Sequence, residues 1–178
     1  MSKLGEHTIN IDCDVIQGDG GTRTASVTGG FIALALACRK LVERGELAAS
    51  PIRHYVTGIS AGIVDDVALL DLQYSEDSRA QVDLNCVMNE LGEIIELQGT
   101  GEGRAFSRNE LNTLLELGES GCQKLMEAQR NALGDASDLI AQKQTLVLAS
   151  NNAHKIDELR AMLPLTSYID YADILLAK

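Results

Sequence analysis

Residues 12–31, Asp-Cys-Asp-Val-Ile-Gln-Gly-Asp-Gly-Gly-Thr-Arg-Thr-Ala-Ser-Val-Thr-Gly-Gly-Phe, constrain the fold of this chain more than any other stretch. Before and into it, Ile9, Ile11, Cys13 and Val15 alternate with Thr8, Asn10, Asp12 and Asp14, the period-two pattern of a strand. After it, an apolar run from Phe31 to Val42 is too long for a strand and stops at Arg44-Gly45, a helix ending. Gly18, Gly20 and Gly21 lie between, followed by Thr22-Arg23-Thr24. A strand, a glycine turn and a helix start create an anion site: first-turn N–H groups are unpaired, the helix dipole adds positive charge, and glycine lets an oxyanion approach the backbone. Thr22 adds a hydroxyl and Arg23 a planar fork suited to phosphate. The pattern alone fits an ordinary capped turn equally well.

Composition narrows the setting. Apolar residues are 45% of 178, aromatics 3%, and Trp is absent, so a core must come from Leu, Ile, Val and Ala. No stretch reads as a membrane span or signal peptide. Cys13, Cys38, Cys86 and Cys122 have no paired spacing, which predicts free buried thiols and a reducing cytoplasm rather than disulfides or a metal cluster. The net charge of −11 disfavours a self-sufficient nucleic-acid binder, because phosphate contacts need Lys and Arg. Acids concentrate in one band: Asp65, Asp66, Asp71, Glu76, Asp77, Asp83, Glu90, Glu93, Glu96 and Glu102 face a single base, Arg79.

Along the chain, the pattern predicts a helix from about Ala25 to Arg44, apolar on nearly every side and therefore sandwiched between layers. Tyr55–Val64 and Val67–Leu72 read as strands joined at Asp65-Asp66, with Gly58 and Gly62 marking close backbone approach or bulges. Gln73–Arg79 reads as a polar loop, and Gln81–Met88 as a strand turning at Glu90–Gly92 into Ile94–Leu97. Ser107-Arg108-Asn109-Glu110 is a capping box opening a helix that ends near Leu133-Gly134. His7 and His54 sit at element edges without partner motifs and read as surface residues. Several strands with helices on one side give an α+β layered fold.

The segment Asp-Gly-Gly-Thr-Arg-Thr-Ala-Ser-Val-Thr-Gly resembles the phosphate-binding segment of the ribonuclease PH family, phosphorolytic exoribonucleases that trim tRNA 3′ ends. Gly18 stands where that family is expected to have alanine. The resemblance runs from about Leu4 to about Leu133 and covers the C-terminal half of the family's domain, so Met1 is expected to fall mid-domain. It implies a β-α-β layered half-domain, a hexameric ring of dimers, and Gly21, Thr22 and Arg23 as holders of the co-substrate inorganic phosphate. Basic RNA contacts and a further phosphate-binding arginine would come from the absent half or a neighbouring subunit.

Asp77 and Asp83 are the acidic residues of interest. If Gln81–Met88 is a strand, Asp83 points away from its apolar neighbours, and two carboxylates at one mouth suit Mg²⁺. On pattern alone a solvated acidic face is the stronger reading. Ser75-Glu76-Asp77-Ser78 and Val82-Asp83-Leu84-Asn85 resemble the family's metal-site segments, which reverses that order for Asp77 and Asp83 and leaves Glu76 a solvated neighbour. The resemblance implies phosphorolysis without a covalent intermediate: phosphate attacks the terminal phosphodiester of a tRNA-like RNA and releases a nucleoside diphosphate. The competing reading is an inactive truncated product or a structural ring subunit.

Residues 1–134 are thus expected to form the ribonuclease PH-like unit, 135–144 a linker, and 145–178 a second segment. The stretch from Thr145 to Lys155 resembles the opening of the inosine/xanthosine triphosphate pyrophosphatase family, with Ser150, Asn152 and Lys155 in its phosphate-gripping element. That pattern dissolves past Pro164, where a helical tail is the plain expectation. The purified chain is accordingly expected not to hydrolyse inosine triphosphate, and release of pyrophosphate in such an assay would overturn this.

Overall fold

The computed structural model describes residues 4–140, together with the backbone of residues 145–148 and 167–170. Ser150, Asn152 and Lys155 lie outside the described residues. The chain divides into two units, Met1–Ile140 and Ala141–Lys178.

In the first unit, helix α1 (Thr22–Glu43) precedes strands β1 (Val56–Val64) and β2 (Val67–Leu70), short helix α2 (Tyr74–Asp77), strands β3 (Val82–Asn89) and β4 (Ile94–Thr100), and helix α3 (Arg108–Leu133). The four strands form an antiparallel sheet in the order β2-β1-β3-β4. Both expected hairpins are present. Asp65 and Asp66 close the first with φ of 49° and 62°, the left-handed pair of a tight primed turn that short acidic side chains tolerate.

Central strand β1 is buried on both faces because adjacent residues point opposite ways. Ile59, Ala61 and Ile63 join Leu84, Cys86, Leu114, Cys122 and Met126 in the core beneath α3. Gly118 and Gly121 bring α3 close: a Cβ on Gly121 would stand 2.5 Å from Ile59 Cδ1, and one on Gly118 2.6 Å from Cys86 Sγ. The other face of β1 carries Gly58, Ser60 and Gly62. There α1 rests, and a Cβ on Gly58 would lie 3.3 Å from the Thr24 backbone. The helices therefore flank the sheet on both sides, correcting the expectation of one. Polar ties hold the register. Thr28 Oγ1 and the Gly58 backbone exchange hydrogen bonds of 3.0 Å, and Gln129 Nε2 donates to Thr28 O and Val56 O at 2.9 Å each.

Four further expectations change. Residues 8–15 form no strand, because alternation yields a strand only beside a pairing edge; this stretch instead lies along α1, with Ile11 and Cys13 against Gly30. α1 is not sandwiched: Thr24, Gly30, Phe31, Ala35 and Cys38 are buried, while Leu36 is exposed. Against the sequence reading, an 18-residue window of this helix, at mean hydropathy 1.5, is long and apolar enough to cross a membrane by length and composition alone, a test that the core helix of a soluble protein also passes. Cys13 is exposed, whereas Cys38, Cys86 and Cys122 are buried free thiols.

The first unit also runs past residue 134. A 3₁₀ turn, Gly134–Leu139, buries Ala136, Ile140 seals the core, and Tyr55 Oη shares a 2.5 Å hydrogen bond with Ser137 Oγ. The opening of the expected linker is therefore core. In the second unit, β5 (Thr145–Leu148) and β6 (Ser167–Asp170) pair in parallel, so those residues of the expected helical tail are strand.

The capping box is present: Glu110 N donates to Ser107 Oγ at 3.2 Å, and Ser107 N to Glu110 Oε2 at 2.7 Å. Arg104 adds a 2.7 Å ion pair, and together these hold the Glu110 carboxyl down at about 2. Ser107→Ala should cost about 1 kcal/mol in chemical denaturation. The contribution of Glu110 is complete above its unfolded value of about 4.3 and fades as pH falls towards about 2, so the loss of stability on acidification should be shallower in Glu110→Gln.

Candidate functional site

The glycine turn sits where α1 meets the sheet. Asp19 Oδ1 accepts from Gly20 N at 2.8 Å and from Tyr74 N at 2.5 Å, and these two bonds hold its carboxyl below the usual carboxylate range. One side chain thereby ties the turn to the start of α2. Gly20 admits no substitute, because a Cβ there would overlap the Leu72 carbonyl. Gly21 takes φ of 70° and is the N-cap of α1, with no side chain capping the helix and no acid in its first turn. Its first N–H groups are left for an external acceptor. Beneath Gly21 lies Ser60 of β1, 2% exposed, whose Oγ has no hydrogen-bond partner.

Register carries the site onward. Ser60 stands opposite Asn85, and Gly62 opposite Asp83. Asn85 and Asp83 share the α1-facing side of β3, where Asn85 Nδ2 donates to Asp83 Oδ2 at 3.2 Å. Burial pushes the Asp83 carboxyl above its ordinary value; the nearby charges of Asp77 and Glu102 push the same way, and the Asn85 bond opposes them. Asp77 ends α2, a helical turn where a loop was expected, and Glu76 serves that turn by accepting from Gln73 N at 3.1 Å. The turn, α2 and the β3 carboxylate thus meet on one side of the sheet. Among the described residues, no group of three or more His, Cys, Asp or Glu side chains is gathered to hold a metal.

Arg23 lies apart from this meeting point. Its guanidinium pairs with Glu96 Oε1 at 2.5 Å, with both side chains about half exposed. Glu96 stands opposite Val87, four residues along β3 from Asp83, or about 13 Å. Two grooves adjoin the turn, and neither includes Asp77 or Asp83. One, between residues 12–17 and α1, takes in Thr22; the other, more apolar, takes in Arg23 with Ile11, Phe31 and Leu34. An exposed ion pair is worth little, so this one holds Arg23 only weakly. Ser60 went unread in the sequence, since a serine inside an apolar run shows its role only once the helix above it is placed.

Comparison with known proteins fits this geometry. Residues 54–121 match the family described as 3′ exoribonuclease family, domain 2. Over 139 residues, 78% of the chain, it is 57% identical to Ribonuclease PH of Synechococcus sp. (strain CC9605), covering 56% of that protein. It is 56% identical over 134 residues to Ribonuclease PH of Corynebacterium glutamicum (strain R), covering 55% of it. The chain thus spans about half the length of the curated relatives it matches. The fold is shared with rice (Oryza sativa) Rrp46 at a TM-score of 0.51 and 19% identity, over 66% of this chain and 49% of that one.

Asp83 provides a test of the site's electrostatics. Its carboxyl is raised in the fold, so the folded state holds that proton more tightly than the unfolded chain does. Stability is therefore lost as pH rises through the unfolded value of about 3.9 towards the folded one. Asp83→Asn should raise the thermal midpoint at pH 7 in EDTA and leave a smaller gain on acidification; an unchanged pH dependence would contradict the crowding.

Proposed function

We propose that this chain is a member of the ribonuclease PH family of phosphorolytic 3′→5′ exoribonucleases and tRNA nucleotidyltransferases, working on tRNA-like 3′ ends. The observation that carries the reading is the meeting, on one side of β1 and β3, of an uncapped helix N-terminus with the half-buried Asp83 and its neighbour Asp77. In this reading inorganic phosphate sits on the Gly21–Thr22 amides, held by the Thr22 hydroxyl and by Arg23 once it leaves Glu96. A phosphate oxygen forms a bond to the terminal phosphorus of the RNA as the bond to the preceding 3′ oxygen breaks. That oxygen takes a proton, and the last nucleotide departs as a nucleoside diphosphate. No covalent enzyme intermediate is required, and the reaction reverses when phosphate is scarce and diphosphates abound.

Asp77 and Asp83 would hold Mg²⁺. The crowding that raises the Asp83 carboxyl is what a divalent cation relieves, and Mg²⁺ needs few carboxylates because it keeps water and phosphate oxygens as ligands. When bound, it would offset charge on the transferring phosphoryl group. The protein's own part is positional: Asp19 fixes the turn against α2, and Asn85 orients Asp83. A ring of like subunits completes the reading, since the net charge of −11 leaves RNA contacts to be drawn from beyond these residues. The free thiols accord with a reducing cytoplasm.

The engaged Arg23 and the two grooves that bypass the carboxylates favour a second reading, a structural ring subunit without turnover. One assay separates the two: phosphate-dependent release of nucleoside diphosphates from a tRNA with a 3′ extension. Activity should vanish in EDTA and fall by about two to three orders of magnitude in Arg23→Ala and Asp83→Asn. A folded but inactive chain would support the structural reading.

A further inference from the structure

Ser60 sits at the centre of β1, a strand buried on both faces, and its side chain faces the head of α1. It is 2% exposed, and its Oγ is without a hydrogen-bond partner. A hydroxyl kept from water with nothing to donate to carries an uncompensated desolvation penalty. Its neighbours do not relieve it. Thr24 Oγ1 donates instead to Gly21 O at 2.8 Å, and the amide of the cross-strand Asn85 goes to Asp83. The first N–H groups of α1, which starts at the adjoining Gly21, have no side-chain cap, and they offer donors rather than an acceptor for its proton. Ser60 Oγ and Thr24 Oγ1 flank a notch at Gly21, standing 3.1 and 3.2 Å from where a Cβ would be, and glycine alone keeps that notch open. A place where a buried hydroxyl and a helix N-terminus both lack an acceptor is chemically complete when an oxyanion occupies it.

We infer that Ser60 is a further phosphate-binding residue, its Oγ–H donating to an oxygen of inorganic phosphate seated on the first turn of α1. The inference rests on the reading above that phosphate binds at this turn. Ser60 differs in kind from Arg23. The arginine arrives on a flexible stem from an exposed pair with Glu96, whereas the hydroxyl is fixed by the strand at the middle of the sheet. It supplies a rigid donor at a set height above β1 and prefers a tetrahedral oxyanion resting close on the turn.

The test is calorimetric titration of the full chain with inorganic phosphate, alongside Ser60→Ala and Ser60→Cys. The cysteine keeps the volume with a much weaker donor, so it reads the same effect should the alanine variant fold poorly. Both should bind phosphate about ten- to a hundredfold more weakly, with far-ultraviolet circular dichroism unchanged. Their thermal midpoints without phosphate should equal or exceed the parent's, and the rise on adding phosphate should shrink. Parent-like phosphate affinity in either folded variant overturns the role of Ser60 and leaves the proposed function standing. A parent chain that binds no phosphate removes both.

Discussion

The close seating of α1 on β1 is the contact on which the rest of this structure depends. It requires small residues on one face of β1, and Gly58 and Ser60 supply them in alternation with the apolar Ile59, Ala61 and Ile63 of the other face. The apolar face builds the core under α3. The small face lets a helix N-terminus descend almost to the strand backbone, and this brings the Gly20–Gly21 turn into range of β3. A single larger residue on the small face would lift the helix and separate the turn from Asp83 while leaving the core intact.

Much of this was legible locally. The Asp65-Asp66 turn, the Ser107–Glu110 box and the β3 alternation are short-range signals, decided by residues a few positions apart, and each stands as read. What failed depended on neighbours distant in sequence. Residues 8–15 have a strand's rhythm but no edge to pair with, so they follow α1 instead. The two-sided arrangement of helices was hidden because Gly58 read only as a close backbone approach or a bulge, when together with Ser60 it seats α1, while Gly62 makes room for Leu72. Asp135–Ile140 looked like a linker by polarity, yet Ala136 and Ile140 are buried in the core and anchor it there.

The candidate site was legible to differing depths. Gly21, Thr22 and the carboxylates Asp77 and Asp83 were singled out from their chemistry and from the family resemblance, and the fold brings them to one side of the sheet. Arg23 was singled out too, but its guanidinium is turned to Glu96, a partner 73 positions away that no local pattern announces. Ser60 and Asn85 were not singled out, since their neighbours are set by the tertiary fold: Ser60 lies under the helix that packs on it, and Asn85 bonds Asp83.

Gln129 has a consequence beyond packing. From late in α3 its amide reaches Thr28 O on α1 and Val56 O at the start of β1, stitching three elements at a single point. A helix is stiff along its axis, and the span from Thr28 back to Thr22 is about 9 Å. Any axial slip permitted at that stitch would travel undiminished to the glycine turn, as a piston rod moves its far end. The position of the α1 tip is therefore governed in part by a glutamine that lies far from it along the helix.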